Sequence, residues 1–443
     1  MPTPAAGRRS GRRVALLARY PTHDPAMPRR IPNLGVRMVE ATLRAAQLPG
    51  LEARVWDLEP DGPDVEAVAA AVIAYDPDVV GFSAFLWSFP FFLAVAQRIA
   101  ADDPSRLIVF GGPSARPAML DLPPHDQVSG CVDVLVINEG EHSFRDIVAA
   151  EQRDPAALAS IPGLAVRRDG RWHETPSRPL GDLNDLASPY AMRLMPRGGI
   201  GLLQTYRGCP FTCAFCEWGT LESPRRVRDM DSLVTEFDAM DRLGVPAALL
   251  ADAGLNLNAN AFRNLHQAAR ETGFLSRRGL ICEVYPATLR QEHLDFLRQV
   301  GSPYVGVGLQ SFDTEVLAHV DRKYDEARFE QTLDSLNAVS KVAVEIIMGL
   351  PGDSPERFRR NFERARRLPC ALRVYHCVVL PSALMVRSRP GDALDYDPVS
   401  LKMNACLGWP AGTIEAEAAF LTREAARAGG QAGAFFWVFP PPG

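Results

Sequence analysis

The stretch Arg207-Gly-Cys-Pro-Phe-Thr-Cys-Ala-Phe-Cys-Glu-Trp-Gly219 places Cys209, Cys213 and Cys216 within eight residues, in a Cys-x3-Cys-x2-Cys spacing. Three thiolates can hold three irons of a cubane cluster and leave the fourth iron open to a ligand that is not protein. A structural zinc site wants a fourth protein ligand. The next His and Cys are distant, at His266 and Cys282. Zinc therefore requires the fold to bring one of them back, and spacing alone leaves that alternative and chance clustering open.

The chain around this stretch has 443 residues, enough for two or three cores. Hydrophobic residues make up 47% and charged residues 23%, the balance of a soluble globular protein. The formal net charge is −5 without a long like-charge block, which argues against nucleic acid or an anionic membrane as partner. No apolar run reaches the roughly 18 residues a membrane helix needs. Near the N-terminus, Arg8-Arg9 and Arg12-Arg13 precede Val14-Ala-Leu-Leu-Ala18, a superficial twin-arginine pattern. Five apolar residues ending at Arg19 are too few for an export signal, so the segment reads as a basic tail before a first strand. Eight cysteines, three clustered and five scattered, do not form a disulfide framework and suit the reducing cytoplasm.

Apolar strands alternate with helices through the first third of the chain. Strands are expected at 14–20, 51–58, 78–84, 106–110 and 132–137. Helices are expected at 33–46, with Asn33 as N-cap, at 65–75 and at 90–100. Continuous apolar strands between helices predict a doubly wound, Rossmann-like parallel sheet, whose ligands sit at the strand carboxyl ends. Those ends carry Tyr20–Pro25, Ser83–Ser88, Gly111-Gly112-Pro113-Ser114 and Asn138-Glu-Gly-Glu141. Residues 151–196 read as a linker with a small hairpin. From Gly199 the alternation restarts, with strands expected at 200–205, 247–251, 280–284, 304–310, 342–349 and 372–380 and a helix at 231–243. Six such units predict a partial (β/α)6 barrel of the TIM type, with the cysteine loop directly after its first strand, at the mouth where barrel chemistry lies. The expected division is a disordered basic tail at 1–13, domains at 14–150 and 197–390, and a short extension at 391–443. The aromatic end of that extension either caps the mouth or packs outside the barrel.

The cysteine spacing, flanked by Tyr206-Arg-Gly and Glu-Trp-Gly, resembles the radical S-adenosylmethionine (SAM) superfamily. Residues 14–150 resemble the cobalamin-binding domain found before many such barrels, on Val-Val-Gly-Phe-Ser-Ala, Val-Phe-Gly-Gly-Pro-Ser and Asn-Glu-Gly-Glu. The resemblance runs from about residue 14 to 385 and implies three cofactors: a [4Fe-4S] cluster, SAM and cobalamin. It implies Cys209, Cys213 and Cys216 as cluster ligands, and Ser83, Gly111, Gly112, Glu139 and Gly140 around cobalamin. Asp252, Glu283 and Gln310 follow as SAM contacts, although Asp252 also suits a turn or helix cap. Glu345-Ile-Ile-Met-Gly-Leu-Pro-Gly-Asp353 resembles the strand that packs on adenine. Tyr285 and Tyr375, at strand ends, are candidates to reach substrate or cobalt, with core packing as the alternative. The Asp-x-His-x-x-Gly motif that ligates cobalt from below is absent, and His23 sits in roughly that loop.

The resemblance implies a cobalamin-dependent radical SAM methyltransferase acting on an unactivated carbon of a small natural-product intermediate, through methylcobalamin and a deoxyadenosyl radical. A rearrangement, cyclisation or dehydration without net methyl transfer is the other reading. The implied partners are a small-molecule substrate and a flavodoxin- or ferredoxin-type electron donor, with no nucleic acid and no membrane.

Overall fold

The computed structural model describes residues 11–22, 31–220 and 226–442. His23 and residues 1–10 of the basic tail lie outside the described residues. Strands β1 (Arg13–Arg19), β2 (Glu52–Leu58), β3 (Val79–Ser83), β4 (Leu107–Gly111), β5 (Val134–Val136), β6 (Leu164–Arg168) and β7 (Arg171–Glu174) form one sheet. Its order is β2-β1-β3-β4-β5-β6-β7, with the first five strands parallel. Strands β1, β3, β4 and β5 are apolar on both faces because helices cover both. Val14, Leu16 and Ala18 of β1 pack with Val36 and Leu43 of the helix Leu34–Ala45 and with Phe144 and Ile147 of Gly140–Ala149. Ala15 and Leu17 point the other way, to Val68 and Val72 of Val65–Tyr75 and to Phe92 and Val95 of Phe89–Asp102.

Two details differ from the sequence reading. Asn33 precedes the first helix but does not cap it: its side-chain amide donates to Asp57 Oδ1 at 2.6 Å, tying the helix entry to β2. The 151–196 stretch is more than a connection, because β6 pairs antiparallel with β5 (Leu135 opposite Ala165) and β7 pairs with β6. The hairpin covers what would otherwise be an exposed edge next to the three-residue strand β5.

The second sheet begins at β8 (Gly201–Leu203), followed by the short ribbon β9 (Tyr206–Arg207) and β10 (Arg226–Val227). Then come β11 (Ala247–Leu250), β12 (Gly279–Val284), β13 (Ser302–Gln310), β14 (Lys341–Met348) and β15 (Ala371–His376). Strands β8 and β11–β15 are neighbours in sequence order and all parallel, an open six-stranded barrel. Local chemistry sets the helices between them. In Pro355–Ala365, Ser354 caps the N-terminus and Pro355 begins the first turn, while Phe358, Phe362 and Ala365 share the buried face.

After β15 come β16 (Asp395–Tyr396), β17 (Met403–Ala405), the helix Thr413–Arg427, β18 (Gln431–Ala432) and β19 (Phe436–Phe439). Strand β19 pairs antiparallel with β15, so the terminal aromatics extend the barrel sheet: Trp437 lies opposite Val374 and its ring stacks on His376. Neither sequence alternative anticipated a strand there. The excursion between β15 and β17 straps the two domains together. Leu401, fully buried, belongs to the core of the first domain, and Met385 and Tyr396 pack against both cores. Replacing Leu401 with Ala removes that plug, and the expected loss is about 2–5 kcal/mol, read as a lower denaturant midpoint. A loss under about 1 kcal/mol would show that the strap does not anchor the first domain.

Candidate active site

The cluster loop is fixed at its root by a buried carboxylate. Asp252, just past β11, accepts the backbone N–H groups of Thr205 (2.9 Å) and Tyr206 (3.3 Å) on Oδ1 and the Thr205 hydroxyl on Oδ2. Tyr206 adds a hydrogen bond from its hydroxyl to the Gly254 carbonyl at 2.8 Å. Burial raises Asp252 to about 7, outweighing the three hydrogen bonds that favour its ionised form. Gly208, at φ +108°, then turns the chain into the cysteines. Ala214 N–H donates to the Val320 carbonyl at 2.9 Å, and the Arg387 guanidinium donates to the Cys216 carbonyl.

Cys209, Cys213 and Cys216 line one cavity of about 210 Å3 at the barrel mouth. Among the described residues, no three His, Cys, Asp or Glu side chains converge to hold a single metal ion. A cubane asks for something else, namely three thiolates spread around one cavity, each to its own iron. Burial raises the thiols of Cys209 and Cys216, the latter to about 11, so holding them as thiolates calls for a bound cation. The sulfurs of Cys209 and Cys216 accept the backbone N–H groups of Phe211 and Trp218, and Arg322 Nη1 lies 4.0 Å from Cys213 Sγ. This donor set fits an iron–sulfur cluster.

The other walls of the cavity are Asp252, Ala253, Leu257, Glu283, Val284, Tyr285, Gly308, Gln310 and Glu345, with Phe211 and Phe215. Gln310 sits at φ +72°, where the β13–β14 register slips by a residue, a strained conformation for a side chain with a Cβ. Glu283 occupies the space over Gly306, where a Cβ would come within 2.1 Å of its Oε1. Burial raises both Glu283 and Glu345, and the charge of Glu345 raises Glu283 further, so the pair holds a proton that an exposed carboxylate would release. Arg373 and Arg322 oppose that shift. The structure therefore groups Asp252, Glu283, Gln310 and Tyr285 with the cysteines. The Tyr285 hydroxyl is committed to the Lys323 carbonyl at 2.9 Å, so this residue offers the cavity a ring, tilted against Phe211 at 4.4 Å and under Arg322 at 4.8 Å. Tyr375 does not line the cavity: its hydroxyl donates to Glu345 Oε1 at 3.1 Å from one layer behind. Arg322 carried no signal in the sequence, because it lies in a short loop after the helix Thr314–His319 and enters the site only through tertiary packing.

A second cavity, about 500 Å3, opens at the carboxyl ends of β1, β3, β4 and β5. Ser83, Gly111, Gly112, Glu139 and Gly140 all line it. Gly112 has φ +98° and lies so close to the Ala84 carbonyl that a Cβ would approach it to 2.7 Å. At Gly35 a Cβ would meet nothing within 4 Å, and at Gly111 only Val136 at 3.8 Å, so both keep the wall open to a ligand. An apolar cradle with bare backbone at the strand ends fits the close approach of a bulky cofactor such as cobalamin. Glu139 has a further role. Arg207, at the start of the cluster loop, pairs with Glu139 at 3.1 Å and with Glu141 at 2.5 Å, and Arg226 also pairs with Glu139. Burial would raise the Glu141 carboxyl, but the charge and hydrogen bond of Arg207 hold it below its usual range.

A cluster loop of three thiols at the mouth of an open barrel, beside a ligand cradle on a parallel sheet, defines a radical SAM enzyme with a cobalamin domain. Comparison with known proteins agrees. The Radical SAM superfamily model matches residues 203–365 and the B12 binding domain model matches 27–148. The chain is a radical SAM enzyme with a B12-binding domain in front, and its cofactors are a [4Fe-4S] cluster, SAM and cobalamin. It is 27% identical over 344 residues to the cobalamin-dependent radical SAM methyltransferase TokK of Streptomyces tokunonensis, covering 72% of this chain and 49% of that protein. It is 29% identical over 347 residues to the 2-(S-pantetheinyl)-carbapenam-3-carboxylate methyltransferase of Streptantibioticus cattleyicolor, again covering 72% and 49%. The chain thus spans about half the length of these relatives. In fold it is similar to the methyltransferase TsrM of Kitasatospora setae, with TM-score 0.68 at 18% identity over 88% of this chain and 82% of that one. Among the described residues no helix is long and apolar enough to cross a membrane.

Two outcomes follow from these buried charges. Asp252 keeps its proton in the folded protein up to about pH 7, whereas the unfolded chain releases it near 3.8. Its stabilising contribution is therefore full below that lower value and declines as pH rises to 7, by up to roughly 1.4 kcal/mol per pH unit. In cluster-free protein, Asp252→Asn should flatten the slope of unfolding free energy against pH in this window; an unchanged slope would show that Asp252 is ionised throughout. Arg207→Ala leaves two part-buried carboxylates without their shared cation, with an expected loss of about 3–5 kcal/mol in denaturant unfolding at pH 7.

Proposed function

We propose that this protein transfers a methyl group to an unactivated carbon of a small molecule. The observation that carries the reading is the adjacency of the two cavities, which share Trp218 as a lining residue. When bound, the cluster with SAM supplies a carbon-centred radical and the cobalamin supplies the methyl group.

The chain's own residues bind, orient and exclude water. Cys209, Cys213 and Cys216 hold the cluster, with Arg322 beside them. Asp252, Glu283 and Gln310 contact SAM, Glu283 sharing its proton with Glu345. Ser83, Gly111, Gly112 and Gly140 seat cobalamin, and Glu139 secures that seat to the barrel through Arg207. The Tyr285 ring with Phe211 walls the space left for substrate. Tyr375 positions Glu345 rather than touching substrate. The electron needed for each radical comes from a flavodoxin or ferredoxin in the cytoplasm. The reading as a methyltransferase is supported by the two relatives that are methyltransferases by name.

The test is anaerobic. Protein reconstituted with iron, sulfide and cobalamin is supplied with SAM, a one-electron reductant and candidate small molecules, and products are weighed by mass spectrometry. The expected product gains one methylene equivalent, with release of deoxyadenosine and S-adenosylhomocysteine. Cys216→Ala should reduce deoxyadenosine to background. A converted substrate with unchanged carbon count would replace methylation with a rearrangement, cyclisation or dehydration.

A further inference from the structure

Among the described residues, Trp218 is the one shared by the linings of both cavities. It is 37% exposed, an unusual state for an indole at the junction of two domains, and its exposed surface faces space reserved for ligands. Its loop is held from several sides. The backbone N–H of Trp218 bonds the Cys216 sulfur, Glu217 accepts the Ser382 N–H at 3.0 Å, and Arg387 donates to the Cys216 carbonyl. Trp218 is thus fastened to Cys216 at its backbone and lines both cavities.

The chemistry of the two sites makes such a wall consequential. A deoxyadenosyl radical carries one unpaired electron on C5′, and cob(II)alamin carries one on cobalt. If the two meet, they combine into a single Co–C bond, giving adenosylcobalamin with cobalt oxidised from II to III. No other reagent is consumed, and the radical is lost to substrate. We propose that Trp218 is a partition that keeps the radical away from the cobalt and forms the wall against which substrate is oriented between them. This inference rests on the reading of the site given above.

The partition can be tested without knowing the substrate. Protein carrying the cluster and saturating cob(II)alamin is given SAM and reduced flavodoxin. Adenosylcobalamin, recognised by mass and photolability, is then measured per deoxyadenosine formed. Using a ratio makes the result independent of how fast each variant turns over. Wild-type protein should give deoxyadenosine with little adenosylcobalamin. Trp218→Ala should raise the ratio at least about tenfold, with Trp218→Phe, which keeps an aromatic wall, in between. A second readout uses cluster-free protein titrated with hydroxocobalamin. Removing one aromatic wall should weaken binding about tenfold in Trp218→Ala and less in Trp218→Phe. Equal ratios in wild type and Trp218→Ala would overturn the partition alone, and unchanged cobalamin affinity would show that the ring does not border the cradle. Absence of deoxyadenosine from the wild type would instead sink the underlying reading, and the partition with it.

Discussion

A guanidinium–carboxylate network bridges the two domains. Arg207 leaves the ribbon at the root of the cluster loop and is gripped by Glu139 and Glu141, at the start of the helix Gly140–Ala149 that follows β5 in the other domain. Taking an arginine and two carboxylates out of water is expensive, and such a network persists only where each charge keeps its partners. Both ends of this one sit on segments that line cofactor cavities. The pairing therefore joins the two cavity-lining segments directly, alongside the strap through Leu401. Area burial is non-directional, whereas a bidentate guanidinium–carboxylate contact fixes orientation as well as distance.

Burial is used in the opposite sense inside the barrel. Asp252, Glu283 and Glu345 are carboxyls whose environment favours the protonated form, and two buried thiols are likewise raised. The counter-charges Arg322 and Arg373 lie among them. A cavity walled this way holds polar groups that bind hydroxyls and amines without needing bulk water to solvate them. For a carbon radical that matters, since the site must exclude species that would quench it. Two of the carboxyls are paired within the network: Tyr375 donates to Glu345, and Thr205 and Tyr206 donate to Asp252.

Much of this was legible in the sequence because it is local. Three cysteines in eight residues stand out by spacing, and apolar strands of period-free composition announce a parallel sheet. Glycines at strand ends mark the cradle because only they leave backbone bare. The rest depended on contacts between residues far apart in the chain. Arg322 reaches the cluster cavity across more than a hundred positions from Cys213, and nothing in Asp321-Arg-Lys323 signals it. Glu139 was expected at a ligand, but its ion pairs could not be seen before Arg207 and Arg226 were placed beside it. Tyr285 and Tyr375 sat at the expected strand ends, but only hydrogen-bond geometry reveals that their hydroxyls point to Lys323 and Glu345. The terminal aromatics were ambiguous for the same reason, since a strand that pairs antiparallel with β15 leaves no mark of its partner in its own composition.

An open barrel raises a problem that a closed one avoids, because six parallel strands leave two edges with unpaired backbone groups. Here each edge is handled differently. At β15 the chain returns to lay β19 alongside, Tyr375 opposite Phe436, and completes the ladder. At β8 a side chain does the work: the Tyr190 hydroxyl accepts the Leu202 N–H at 2.7 Å from a segment that precedes the barrel. The strap through Leu401 then fills the first domain from the β15 side, while Arg207 joins it from the β8 side. The cobalamin domain is therefore pinned at both margins of the opening. The open barrel is thus held to the first domain by two kinds of contact, an apolar plug at one margin and a guanidinium–carboxylate pair at the other.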